Sequence, residues 1–180
     1  TAVYEPNLYK ITYVVDGQTY QVVEVPYESE VTPLDYPEKE GYKFSGWEGI
    51  PETMPAEDIT VSGSFSIGVY TIRYIINGAG YKDYVYFSRE YKYEQTVTPY
   101  NRTPSAIAGY TFSGWGEVPA TMPGHDVNIY GTYTGNLYKV SYYVLGKLVH
   151  QQEVACGDPI PPYTYSSGGL EITEADWQGT

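Results

Sequence analysis

The chain contains one type of segment three times, and this internal repetition limits its possible folds more than any other feature. The copies open at 7–15, 68–76 and 136–144, where Tyr, Ile and Val alternate with more polar residues. Such alternation is typical of a β-strand with one buried face. The repetition therefore predicts a tandem, elongated array of small, mainly β modules with little helix, in which each module mostly contacts its neighbours.

A tight hairpin turn is indicated directly after each opening strand. Asp-Gly and Asn-Gly dipeptides favour the positive φ angles that such turns require. A returning strand follows in every copy, and the second copy carries about five extra residues in this hairpin, around 79–83. The turn dipeptides are Asp16-Gly17, Asn77-Gly78 and, with a weaker signal, Leu145-Gly146.

The second half of the unit is shared by the first two copies. Residues 41–47, Gly-Tyr-Lys-Phe-Ser-Gly-Trp, match residues 109–115, Gly-Tyr-Thr-Phe-Ser-Gly-Trp. A Thr-Met-Pro segment follows at 53–55 and at 121–123, before a closing strand in each copy. The third copy continues through its hairpin to Trp177 without a Thr-Met-Pro segment.

These matches define the expected domain organisation. The chain ends inside a third unit and begins with residues that match the end of a unit, which favours a fragment of a longer array over termini that have departed from the pattern. The predicted divisions are residues 1–5 as the closing strand of a preceding repeat, 6–66 as repeat 1, 67–134 as repeat 2 and 135–180 as a partial or divergent repeat 3.

Each unit needs large side chains to build a core, because about 60 residues is close to the lower size limit for one self-supporting core. Aromatic rings at fixed positions meet this need, since each can bury on the order of 150 to 250 Å². Met packs adaptably and Pro fixes φ, so the Thr-Met-Pro segment is expected to fold beneath the Trp. The expected core residues are Trp47, Phe44 and Met54 in repeat 1 and Trp115, Phe112 and Met122 in repeat 2.

Side chains that could perform catalysis are few and scattered. His125 lies in a loop where the first copy has Glu57, and His150 matches Gln21. Cys156 matches two tyrosines in a position interpreted as core, so a small buried thiol explains it better than a nucleophile does. We therefore expect no enzymatic activity, no catalytic residues, no metal site and no cofactor.

Charge excludes one class of partner. The chain has 22 acidic and 10 basic side chains, for a formal charge of −12, and this balance repels a phosphate backbone. Nucleic acid is thus not expected as a partner. The apolar runs are far shorter than the roughly 20 residues that span a bilayer, so no membrane insertion of this segment is expected.

Tyrosine is the one residue type whose excess suggests binding. The chain has 23 Tyr but only 4 Phe, and Tyr is enriched in binding surfaces because it offers flat, amphipathic area. Use of Tyr in place of Phe as the core aromatic is the favoured explanation of the excess. If strand alternation holds through the returning strand of repeat 2, one face carries the candidate binding residues Tyr84, Tyr86, Tyr91 and Tyr93.

The shared pattern resembles the Listeria–Bacteroides repeat, the class that includes the B repeat of internalins. The residues that carry the resemblance are the opening Tyr-x-Ile-x-Tyr strand, the Asp-Gly turn (Asn-Gly in the second copy), Gly-Tyr-x-Phe-Ser-Gly-Trp and Thr-Met-Pro-x-x-Asp, in 6–66 and 67–134. The resemblance implies a small β-grasp-like fold, a location in a secreted or surface-attached bacterial protein, and no catalytic residues.

One role follows from that resemblance, and an alternative role follows from the tyrosines. The first is a non-enzymatic stalk or spacer of a bacterial surface protein that also contacts host or neighbouring surface proteins. The alternative is a carbohydrate-binding module that uses the Tyr-rich hairpin face of repeat 2.

Overall fold

The computed structural model describes residues 6–177, and the regular structure of this part of the chain is nearly all β. It contains small sheets and one short 3-10 turn, and no α-helix occurs between residues 6 and 177. The prediction of a mainly β fold is confirmed. The predicted closing strand of a preceding repeat, 1–5, lies outside the described residues.

In repeat 1 the opening strand is the central strand of a three-stranded sheet. The first strand pairs with the returning strand in antiparallel fashion and with the fourth strand in parallel fashion, where Ile11 faces Ile59. The third and fifth strands form a second, two-stranded sheet. The strands are β1 (Leu8–Val15), β2 (Gln18–Pro26), β3 (Tyr42–Phe44), β4 (Ile59–Gly63) and β5 (Phe65–Ile67).

The core of repeat 1 lies against the sheet on one side of β1. Ile11 and Tyr13 are alternate residues of β1, so both point to the same face, and both are 1% exposed. Val61 of β4 lies on that face as well. Val31 and Met54 complete the cluster from the loops, and Trp47 packs against its edge.

Repeat 2 has a longer hairpin than repeat 1, and its turn lies elsewhere than the sequence predicts. The opening strand continues through Gly78, and the turn is made by Ala79 and Gly80, with φ of +49° and +89°. The prediction of a turn at Asn77-Gly78 is therefore wrong. The four strands have the order β7-β6-β9-β8; they are β6 (Val69–Gly78), β7 (Tyr81–Lys92), β8 (Tyr110–Phe112) and β9 (Val127–Gly135).

In the described residues of repeat 3, two hairpins are followed by a 3-10 turn. The turn at Leu145 and Gly146 has φ of +49° and +78°, the same values as Asp16 and Gly17, so its weak sequence signal still gives the same turn. The first hairpin also shifts register after Tyr142, as β1 does after Tyr13. The elements are β10 (Leu137–Val144), β11 (Lys147–Ala155), β12 (Tyr165–Ser167), β13 (Leu170–Ile172) and the 3-10 turn Glu174–Asp176.

Contacts divide the chain into two compact units. Of the described residues, the first unit contains 6–72 together with Ser88–Pro99 and Val118–Val127. The second contains Arg73–Phe87, Tyr100–Glu117 and residues 128–177. The contacts between repeats 1 and 2 that are described below lie within the first unit, and those between repeats 2 and 3 lie within the second.

Candidate functional site

The same aromatic arrangement is built around the Trp of each repeat. Each indole N–H donates a hydrogen bond to a main-chain carbonyl located 13 or 14 residues earlier in the chain. Such a partner is expected for a partly buried indole, which can donate but not accept. The bonds are Trp47 to Leu34 O at 2.9 Å, Trp115 to Arg102 O at 2.9 Å and Trp177 to Tyr163 O at 2.8 Å.

A Tyr of the opening strand meets each of these Trp rings edge-on. Tyr13 and Trp47 have ring centroids 4.9 Å apart at 73°. The equivalent distances are 5.1 Å at 83° for Tyr74 with Trp115 and 4.8 Å at 74° for Tyr142 with Trp177. We call the Trp, its edge-on Tyr and its carbonyl partner the Trp anchor. Because repeat 3 forms it without Thr-Met-Pro, the anchor does not depend on that segment.

The two methionines are the fully buried members of the expected core set. Met54 and Met122 are each 1% exposed. The main chain of Met54 also bonds the loop after β2, since Glu28 N donates to Met54 O at 3.0 Å and Met54 N donates to Ser29 O at 2.9 Å. Met122 repeats this arrangement with Glu94 and Gln95. The aromatic members, Phe44, Trp47, Phe112 and Trp115, are half-buried at the edge of their cores.

The four candidate binding tyrosines of repeat 2 do not form one surface. Tyr84 is 51% exposed, whereas Tyr91 is 6% exposed and donates its hydroxyl to Thr98 O. Tyr86 is half-buried against Trp115, and Tyr93 lies at the boundary with repeat 1. Tyr91 lies seven positions after Tyr84, and an odd offset places the two residues on opposite faces of a regular strand. The expectation of a single face is corrected on this ground.

Another tyrosine, missed by the sequence argument, lies beside Tyr84 at the tip of the long hairpin. Tyr81 is 41% exposed, its ring centroid is 5.3 Å from that of Tyr84, and it stacks on Tyr133 at 6.2 Å. Asn77 braces this tip by accepting a hydrogen bond from Asp83 N at 2.7 Å. Two exposed rings in contact therefore stand on a braced hairpin.

The residue that links two repeats makes one main-chain hydrogen bond to each of them. Gly68 N donates to Gly41 O in repeat 1 at 2.7 Å, and Gly68 O accepts from Tyr93 N in repeat 2 at 2.9 Å. Asn136 occupies the same place between repeats 2 and 3. Its N–H donates to Gly109 O at 2.8 Å, and its carbonyl accepts from Cys156 N at 2.9 Å.

In repeats 2 and 3, the first residue after the returning strand places its side chain over a glycine of the preceding repeat. A Cβ on Gly41 would lie 2.2 Å from the Tyr93 ring, and a Cβ on Gly109 would lie 2.4 Å from the Cys156 sulfur. Both glycines have positive φ, at +75° and +81°. Tyr93 and Cys156 are half-buried here, so their interpretation as core residues is corrected: they fill junctions between repeats.

The equivalent residue of repeat 1, Tyr27, is 42% exposed. A hydrogen bond to Glu28, and the negative charge of that carboxylate, raise the pKa of Tyr27 above its usual 10.0. Burial is the first cause that raises the pKa of Tyr93, followed by the charges of Glu40 and Glu94.

The residues weighed for chemistry are either exposed or engaged in structural contacts. His125 is exposed in its loop, and His150 stacks on Tyr163 at 4.0 Å beside the third Trp anchor. Asp58 and Asp126 accept hydrogen bonds from the main-chain N–H of Lys10 and Thr71, both at 2.8 Å. Each of these two carboxylates thus fixes the start of an opening strand.

Acidic side chains do not gather into a metal-binding group in the described part of the chain. Glu30 and Glu52 line an open pocket of about 590 Å³ in repeat 1, together with Val31 and Ile50. Within residues 6–177, no helix has the length and apolar character that crossing a bilayer requires.

Comparison with known proteins gives one family and several relatives. The family model of the Listeria-Bacteroides repeat domain matches residues 9–62 and 70–134. Internalin H of Listeria monocytogenes is 29% identical over 148 residues, which covers 71% of this chain and 25% of that protein. A protein of Evansella cellulosilytica whose name assigns it to the membrane is 28% identical over 160 residues, covering 78% of this chain and 23% of its own length.

The chain thus spans about a quarter of the length of these two relatives. Among solved structures, the match to Streptococcal High Identity Repeats in Tandem (SHIRT) domains 3-4, from a cell surface protein, has 16% identity and a TM-score of 0.26. It covers 69% of this chain and 96% of that structure.

Proposed function

The chain belongs to the Listeria-Bacteroides repeat family, and on that premise we propose that it is a non-enzymatic stalk or spacer region of a bacterial secreted or cell-surface protein. The names of its relatives, internalin H and a membrane protein, support a location at the cell surface. Contact with host or neighbouring surface proteins is part of the proposal.

The observation that carries this proposal is the repeated junction. Gly68 and Asn136 each bond the repeat before and the repeat after, so the chain passes between modules without a flexible linker. A spacer needs this property, since a flexible linker would let its ends approach each other. A catalyst would instead need an acid, a base and a nucleophile held together, whereas His150 stacks on a ring, Asp58 fixes the start of a strand and Cys156 fills a junction.

A distance measurement tests the spacer role. Two dyes are attached to cysteines introduced by Gln18→Cys and Lys147→Cys in a Cys156→Ser background, and the distance is compared before and after a second copy of 68–135 is inserted following residue 135. We expect a longer mean distance with an equally narrow distribution. An unchanged or much broader distribution would contradict the proposal.

A matched control uses two dye sites within one repeat. Gln18→Cys and Glu38→Cys both replace exposed residues of repeat 1, so the inserted copy should leave their distance unchanged. A change in this control would show that the insertion disturbs repeat 1 itself.

A second candidate function, carbohydrate binding, is favoured by the exposed pair Tyr81 and Tyr84. Aromatic faces stack on sugar rings, and these two rings are 41% and 51% exposed while in contact with each other. The full chain is tested on a glycan array with Tyr84→Ala and with Tyr143→Ala as the control, because Tyr143 is equally accessible at 57%. A sugar lost only with Tyr84→Ala supports this function; no sugar, or equal loss in both variants, contradicts it.

A further inference from the structure

One end of repeat 1 has the same main-chain arrangement as the two filled junctions. Tyr27 N donates to Asn7 O at 2.9 Å, the same length as the bonds from Tyr93 N to Gly68 O and from Cys156 N to Asn136 O. Asn7 therefore holds the position of a linking residue, and Tyr27 holds the position of a residue that covers a glycine.

The side chain of Tyr27 lacks the surroundings that its equivalents have. Tyr93 lies on Gly41 and meets the Tyr42 ring at 5.9 Å. Tyr27 meets only the edge of Tyr9, at a centroid distance of 6.3 Å, among the ring contacts of the described residues, and 42% of it is exposed. An aromatic ring of this size leaves substantial apolar area to be covered by a partner.

We propose that Asn7, Tyr9 and Tyr27 form an interaction surface for another repeat of this kind, joined ahead of repeat 1 in the same polypeptide. The incoming repeat presents a glycine with positive φ and the aromatic residue after it, as Gly41 and Tyr42 do towards Tyr93. The glycine lies under the Tyr27 ring, and its carbonyl accepts a hydrogen bond from Asn7 N.

The junction geometry also restricts what can occupy this surface. Tyr93 fits over Gly41 only because that residue has no Cβ, since the added atom would lie 2.2 Å from the ring. A partner must therefore bring a glycine, and L residues with side chains rarely adopt the φ of about +75° that goes with it. A strand that starts with an aromatic residue directly after a glycine, as at Gly41-Tyr42, meets both requirements. The inference rests on this geometry and holds whether or not the chain is a spacer.

Chemical modification of Tyr27 tests the proposal. Residues 68–135 are fused directly ahead of Asn7 in the full chain, so that Gly135 is followed by Asn7 as it is otherwise followed by Asn136. Nitration by tetranitromethane is then mapped residue by residue. We expect nitration of Tyr27 to fall several-fold, while Tyr36, which is 64% exposed and lies outside the surface, reacts as before. Equal nitration of Tyr27 with and without the added repeat would overturn the proposal.

Two variants of the extended chain establish whether the glycine contact causes the protection. Gly109→Val in the added repeat places a side chain under the ring and should restore nitration of Tyr27. A second variant inserts a short Gly-Ser linker before Asn7, which leaves both repeats folded but breaks the register, and it should restore nitration as well. Protection that survives the linker would overturn the proposal.

The dependence of Tyr27 nitration on protein concentration shows whether the covering repeat belongs to the same polypeptide or to a second molecule. In the chain without an added repeat, Tyr27 should react equally at low and high protein concentration. Protection that increases with concentration would show that another molecule covers Tyr27, which would overturn the assignment to a repeat in the same polypeptide.

Discussion

The junction between repeats 1 and 2 and the junction between repeats 2 and 3 use the same hydrogen bonds but different side chains. Tyr93 fills the first and Cys156 fills the second, over glycines whose φ angles differ by only a few degrees. A large ring and a small thiol thus serve at one position. This difference shows that the main-chain hydrogen bonds and the glycine define the junction, whereas the covering side chain determines how much surface area the junction buries.

Substitution of the glycines should have the largest effect and should differ between the junctions. Gly41→Ala forces a Cβ into the Tyr93 ring and an unfavourable φ, and we expect the free energy of unfolding to fall by about 3 kcal/mol. Gly109→Ala should cost less, because the Cys156 side chain can rotate away more readily than a ring. Urea unfolding of both variants measures this, and equal losses would contradict the comparison.

Removal of the covering side chains should have a smaller effect. Tyr93→Ala loses part of a half-buried ring, which we expect to lower the free energy of unfolding by about 2 kcal/mol, whereas Cys156→Ala should lower it by less than about 1 kcal/mol. In the Gly41→Ala background, Tyr93→Ala should cost less than it does alone, since the clash disappears with the ring. Additive losses in the double variant would show that the two residues do not interact.

The smallest expected effect is a loss of stability at alkaline pH, which should arise at the junction that contains Tyr93. Because burial, then Glu40 and Glu94, raise the pKa of Tyr93 above 10.0, the unfolded chain loses this proton at lower pH than the folded chain does. The contribution of Tyr93 to stability is therefore complete below pH 10 and is lost as the pH rises from 10 through the folded-state pKa. Urea unfolding between pH 9 and 11 should show a steeper decline for the natural chain than for Tyr93→Phe; parallel declines would contradict this.

The repeated units could be predicted from sequence because their determinants are local. Alternation in 7–15 and its equivalents gives the strands, and the matched Gly-Tyr-x-Phe-Ser-Gly-Trp segments give the position of each Trp. The anchor of Trp177 was beyond prediction, since its hydrogen bond crosses a segment one residue longer than in the other repeats. Only the folded chain shows that Tyr142 and Tyr163 O reach it.

The turn of repeat 2 shows how a distant contact can override a local signal. Gly78 has the positive φ that Asn-Gly favours, yet it continues the strand instead of turning. A Cβ at Gly78 would lie 2.0 Å from Tyr133 O, so the glycine is needed for the approach of another strand. The Asn77 side chain meanwhile bonds Asp83 across the hairpin. Nothing within the dipeptide encodes either contact.

The candidate binding residues failed for a different reason. Tyr84 and Tyr91 are seven positions apart, so regular alternation already places them on opposite faces of the strand. The junction positions of Tyr27, Tyr93 and Cys156 resemble core positions because they are apolar and lie at the end of a strand. For Tyr93 and Cys156, the role depends on a glycine of the preceding repeat that lies more than 40 residues away in the sequence.

The two bonds of Gly68 also have a mechanical consequence. Tension that enters repeat 2 through this residue is opposed first by Gly41 O on one side and by Tyr93 N on the other. Within repeat 1, β1 and β4 are parallel neighbours. Stretching the chain therefore slides these two strands along each other and places all the hydrogen bonds between them under load at once. A pulled molecule should therefore yield in abrupt steps, one module at a time, with the joints giving way before the sheets.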